Sequence, residues 1–84
     1  MVNHSAKTKI LIAEDEKTQR RLLQVRLEKQ GYDVKVAEDG RQALDMYLDD
    51  PEIRLVLTDL MMPRMDGFEL VAGIRSAETR YTYI

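Results

Sequence analysis

The 84-residue sequence predicts an α/β fold, a doubly wound parallel sheet. Three observations carry that prediction. Short apolar runs alternate with segments of helical periodicity in the order β-α-β-α-β-α-β. The connections between them are a few residues long. Two of the strand-like runs are continuously apolar, as in strands covered on both faces. Crossovers between parallel strands are right-handed and place helices on both sides of the sheet.

Met1–Lys9 is polar and aperiodic, a flexible lead-in to a folded unit at residues 10–84. His4 lies in it, outside any predicted helix, which argues against a phosphorelay histidine. Ile10–Ala13 ("ILIA") is the first strand, and it stops at Glu14–Glu16 ("EDE"). From Lys17 to Gln30 the pattern is helical, with Leu23 and Leu27 on one stripe that Leu22 and Val25 widen. Gly31 stands where a left-handed residue closes a helix. "YDVKVA" sets Tyr32, Val34 and Val36 against Asp33 and Lys35, the alternation of an edge strand.

After the turn at Glu38–Gly40, a second helix places Ala43, Leu44, Tyr47 and Leu48 at helical spacing. Asp50 precedes Pro51 and is therefore pushed out of the helical region. "RLVLTD" is the third strand, its consecutive Leu55, Val56 and Leu57 predicting a central position. Phe68, Val71 and Ile74 share a face of the third helix, and "RYTYI" begins a fourth strand.

Composition excludes several classes of function. Hydrophobic residues make up 44% and charged residues 33%, too apolar for intrinsic disorder. A formal net charge of −2 gives no electrostatic case for nucleic acid or an anionic membrane. With no cysteine, disulfides and thiolate chemistry are ruled out together. No apolar stretch is long enough for a membrane span, and a cytoplasmic location is the default expectation.

The chemistry lies in the carboxylates. All strands of a parallel sheet end on the same edge. If the first and third are neighbours, Glu14, Asp15 and Asp59 converge there, where open α/β sheets bind ligands. Carboxylates so close repel one another and either take up a proton or bind a cation. Hard oxygen donors without histidine or thiolate suit Mg²⁺. A carboxylate beside such an ion is placed to attack phosphorus. Blander readings stand beside this one: "EDE" as an acidic first turn favoured by the helix dipole, and Asp59 as a helix cap or turn former.

"ILIAEDE", "GYDVKVAEDGRQAL" and "VLTDLMMPRMDG" together resemble the receiver domain of two-component response regulators, over nearly the whole chain from Lys9 onward. The resemblance implies a flavodoxin-like strand order 2-1-3-4. It makes Asp59 the phosphoacceptor, taking a phosphoryl group from a sensor histidine kinase or phosphotransfer protein. Asp15 would bind Mg²⁺ directly, Glu14 through water, and the main-chain carbonyl of Met61 would complete the protein's ligands. Pro63 and Gly67 would shape the loop, and Asp66 would cap the third helix. Self-phosphorylation and dephosphorylation, rather than enzymatic turnover, are the chemistry implied.

The family's last two βα units have no counterpart here, so the expectation is a partial receiver domain. On that expectation the Ser/Thr and Lys partners of the phosphoryl group would be absent, and switching would be lost with the corresponding helices. An uncovered sheet face and edge suggest a competing reading, a half-domain that associates, as a homodimer for example, without phosphotransfer. A Mg²⁺-dependent phosphohydrolase would want an aspartate at position 61, where Met61 stands.

Overall fold

The computed structural model describes residues 7–77 and 82–84. The expected lead-in up to residue 6, with His4, and Arg80 and Tyr81 of the expected fourth strand lie outside the described residues. The elements are β1 (Lys9–Ala13), α1 (Lys17–Lys29), β2 (Asp33–Ala37), α2 (Gly40–Asp49), β3 (Ile53–Thr58) and α3 (Gly67–Ala77). Among the described residues the sheet is parallel in the order β2-β1-β3. The adjacency of the first and third strands, which periodicity alone leaves open, is thereby established. The fourth strand is represented by one parallel bridge between Tyr83 and Leu55. The Tyr83 N–H donates to the Arg54 carbonyl at 3.0 Å, and its own carbonyl accepts from Val56 N–H at 2.7 Å.

Alternation along β1 divides the core. Leu11 and Ala13 face α2 and α3, where they join Ala43, Tyr47, Val56, Leu70 and Ile74 in one buried cluster. Ile10 and Ile12 point to the other side, with Val34, under Leu23 and Leu27 of α1. Both periodicities predicted from sequence, two for strands and 3.6 for helices, meet at this sheet.

Element ends follow from their local chemistry. Gly31 ends α1 at φ 94°, the left-handed conformation expected there. Asp50, held extended ahead of Pro51 (φ −127°, ψ 97°), ends α2. The Lys9 ammonium bonds the Asp50 carboxylate at 2.8 Å, joining the start of β1 to the start of the α2–β3 connection. That bond lowers the Asp50 pKa and raises that of Lys9.

Three expectations about faces are corrected. Phe68 does not share the buried stripe of α3: it is 66% exposed, while Leu70 and Ile74 are buried. With Leu70 and Ile74 one turn apart against the sheet, a residue two positions before Leu70 lies about 200° round the helix. Leu22 likewise faces solvent, 48% exposed on a helix that buries no residue completely. Leu57 is 42% exposed although β3 was expected to be central; beyond Tyr83 its outer neighbour is missing among the described residues.

Candidate functional site

β1 and β3 end level with each other. Ala13 pairs with Ala37 on one side and Thr58 on the other. The Glu14 N–H donates to the Ala37 carbonyl at 3.1 Å, and Asp59 N–H to the Ala13 carbonyl at 3.0 Å. The sheet's own hydrogen bonding therefore delivers Glu14 and Asp59 to the same edge. One carboxylate oxygen from each of Glu14, Asp15 and Asp59 lies within 4.8 Å of the others.

The three acids of "EDE" divide their work. Glu16 is the cap of α1, accepting from Gln19 N–H at 2.8 Å and Thr18 N–H at 3.2 Å. Glu14 and Asp15 are left for the edge. Arg20, on the first turns of α1, donates one Nη1 to the Glu14 carbonyl at 2.9 Å and to the Asp15 carbonyl at 3.4 Å. Asp59 makes a tight local turn, its Oδ1 accepting from Leu60 N–H at 2.8 Å.

The loop after Asp59 is fastened at several points. Gly67 N–H bonds the Leu60 carbonyl at 2.9 Å. A Cβ on Gly67 would collide with the Asp59 carbonyl oxygen and lie 2.8 Å from Leu60 Cα, so only glycine permits this closure. Asp66 caps α3 as expected, accepting from Glu69 N–H at 2.9 Å while Glu69 reaches back to Asp66 N–H at 3.2 Å. Met62 and Met65 pack beneath the loop against the core, whereas the Met61 side chain is 77% exposed. Arg64, at φ 67°, bonds the buried Asp39 carboxylate at 2.7 Å. Asp39 also caps α2 through Gln42 N–H at 2.8 Å.

Burial pushes the Glu14 carboxyl above its ordinary value, and the charges of Asp59 and Asp15 add to the rise against a lowering bond from Glu16 N–H. The smaller, charge-driven part of the rise is the repulsion expected of converging carboxylates, and a cation relieves it. The donors are hard oxygens, two on exposed residues, which suits an ion that keeps several waters. Mg²⁺ therefore fits the residues present. A surface cavity of about 1130 Å³ lies at the opposite edge among Lys9, Asp33, Glu52 and Tyr83, away from these carboxylates.

Sequence reasoning found the three acids but missed Arg20, Arg64 and Asp39. Asp39 carried a readable signal, an aspartate directly before a helical pattern. The targets of the two arginines depend on chain folding and had none.

The response regulator receiver domain family matches residues 10–84. A probable transcriptional regulator ycf27 of Galdieria sulphuraria is 45% identical over 89% of this chain, which spans 29% of that protein. Among solved structures, the chemotaxis protein CheY4 of Vibrio cholerae superposes with a TM-score of 0.79 at 33% identity, covering 86% of this chain and 60% of its own. The response regulator TrrA of Thermotoga maritima, solved in complex with Mg²⁺ and BeF, gives 0.80 at 34% identity, with 84% and 61% covered. The chain thus spans under a third of that curated relative and about 60% of these two structures. With the match running from the start of the sheet to Ile84, the chain belongs to the response regulator receiver domain family.

Proposed function

We propose that Asp59 is the phosphoacceptor and that Glu14, Asp15, Asp59 and the Met61 carbonyl hold Mg²⁺, within a receiver unit at residues 10–84. The observation that carries this reading is the convergence of the three carboxylates at the ends of β1 and β3. The donor would be the phosphohistidine of a histidine kinase or phosphotransfer protein, met in the cytoplasm. An Asp59 oxygen forms the new bond to phosphorus as the phosphorus–nitrogen bond breaks, and the imidazole keeps the electron pair. The bound cation supplies charge to the phosphoryl oxygens. Glu14 and Asp15 hold that charge in place, and the turn at Leu60 fixes one Asp59 oxygen so that the other is free to react. Water would later hydrolyse the acyl phosphate. The chemistry is self-modification rather than turnover of a separate substrate.

Titration with Mg²⁺ tests the ligand set. Amide resonances at Glu14, Asp15, Asp59 and Met61 should move together, with saturation lost on Asp15→Asn. Shifts confined to other surface carboxylates would refute the assignment.

The exposed Leu57 and Tyr83 favour a second reading, association of two copies through this uncovered side of the sheet. It is compatible with phosphorylation and is tested independently of it.

A further inference from the structure

We propose that Arg20 is a positioning residue for the cation site, fastening the main chain that carries Glu14 and Asp15; this rests on the metal-site reading above. The β1–α1 connection belongs to neither a strand nor a helix, and Asp15 and Glu16 are exposed on it. Its hold on the sheet is the bond from Glu14 N–H to the Ala37 carbonyl. Beyond the Glu16 cap, it is held to α1 by the Arg20 guanidinium, which takes the Glu14 carbonyl at 2.9 Å and the Asp15 carbonyl at 3.4 Å. The Arg20 main-chain N–H bonds the Glu16 carbonyl at 2.9 Å. One residue thus meets the carbonyls of all three acids in the connection.

Arg20 is half-buried and forms no ion pair among the described residues. Its charge is paired with no carboxylate among those residues, and its Nη1 donates to main-chain oxygens. The neighbouring Arg21 makes a useful contrast, since its Nη1 reaches Gln24 Oε1 at 3.2 Å, on the exposed side of α1.

Two effects of Arg20 on a nearby cation oppose each other. Its charge repels Mg²⁺, so removing the charge alone would tighten binding, by less than about fivefold for a screened surface group. Its anchoring holds two ligands in position, and losing a group that orients metal ligands costs roughly 10- to 100-fold in affinity. The anchoring effect is the larger, which fixes the sign of the expected change.

The test is the Mg²⁺ affinity of the full chain by isothermal titration calorimetry at fixed pH and ionic strength. Arg20→Met should weaken binding by about tenfold or more. Arg20→Lys, which keeps the charge and one donor group, should recover part of the loss. Arg21→Met should tighten binding slightly or leave it unchanged. A fold defect would move the far-ultraviolet circular dichroism, which Arg20→Lys should leave as in wild type. If Arg20→Met does not fold, weakened binding by a folded Arg20→Lys supports the proposal, and wild-type affinity in it overturns the proposal. Unchanged or tighter binding by a folded Arg20→Met also overturns it, leaving the metal site standing. Failure of the wild-type chain to bind Mg²⁺ overturns both.

Discussion

At the scale of single residues, polar side chains hold in place the loop that carries the site. The buried Asp39 carboxylate joins the α2 cap to Arg64, a residue in the left-handed region that a non-glycine side chain occupies at a cost of about 1–2 kcal/mol. The hydrogen bond from Gln42 N–H, and then Arg64, hold the Asp39 pKa below its ordinary value against burial, which raises it. An aspartate depressed in the folded state binds its proton more readily when unfolded. Its stabilising contribution is therefore complete above the unfolded value of about 3.9 and is lost as pH falls through the depressed folded value. Asp39→Ala should cost about 1–3 kcal/mol at pH 7, and the gap from wild type should narrow in acid. Urea unfolding at pH 7 and below pH 4 measures both. An equal gap at the two pH values would count against this role.

At the scale of elements, the sequence disclosed what periodicity and caps encode. The strand end at Ala13, the left-handed Gly31, the pre-proline stop at Asp50 and the Asp66 cap follow from chemistry within a few residues, and each is where it was expected; β3 ends at Thr58, one residue before the expected Asp59. The misplaced face of α3 shows the limit. Phe68, Leu70, Val71 and Ile74 allow more than one apolar stripe, and packing against the sheet, a long-range property, selects Leu70 with Ile74. The bond between the Tyr47 hydroxyl and Thr82 Oγ1, 2.7 Å long and buried, was equally illegible, since its partners lie 35 residues apart. It fixes the incoming segment to α2, and Arg75 strengthens the hold by donating to the Thr82 carbonyl at 2.7 Å. Tyr47→Phe should destabilise the chain by about 1–2 kcal/mol, by stranding a buried hydroxyl. Adding Thr82→Val should restore much of that loss; a strictly additive double mutant in chemical denaturation would contradict the coupling.

At the scale of the whole molecule, the two sides of one sheet differ in burial. Its carboxyl edge gathers all three acids, and the side under α2 and α3 is well buried. The side under α1 leaves Leu57 and Tyr83 exposed. The acids were legible because adjacency of β1 and β3 was the one fact needed beyond the sequence pattern, and the family resemblance supplied it. Exposed apolar surface beside a sheet edge favours association. Sedimentation should show self-association rising with concentration and reduced in Leu57→Lys, whereas a wild-type monomer across the range would exclude it.

The carboxyl edge, the fastened loop and the strand pairing all converge on Asp59. The most direct measurement is intact mass after incubating the chain with Mg²⁺ and a small-molecule phosphodonor. We predict a gain of one phosphoryl group by the wild-type chain, dependent on Mg²⁺ and absent from Asp59→Asn. No gain by the wild-type chain, or an equal gain by Asp59→Asn, would contradict the account.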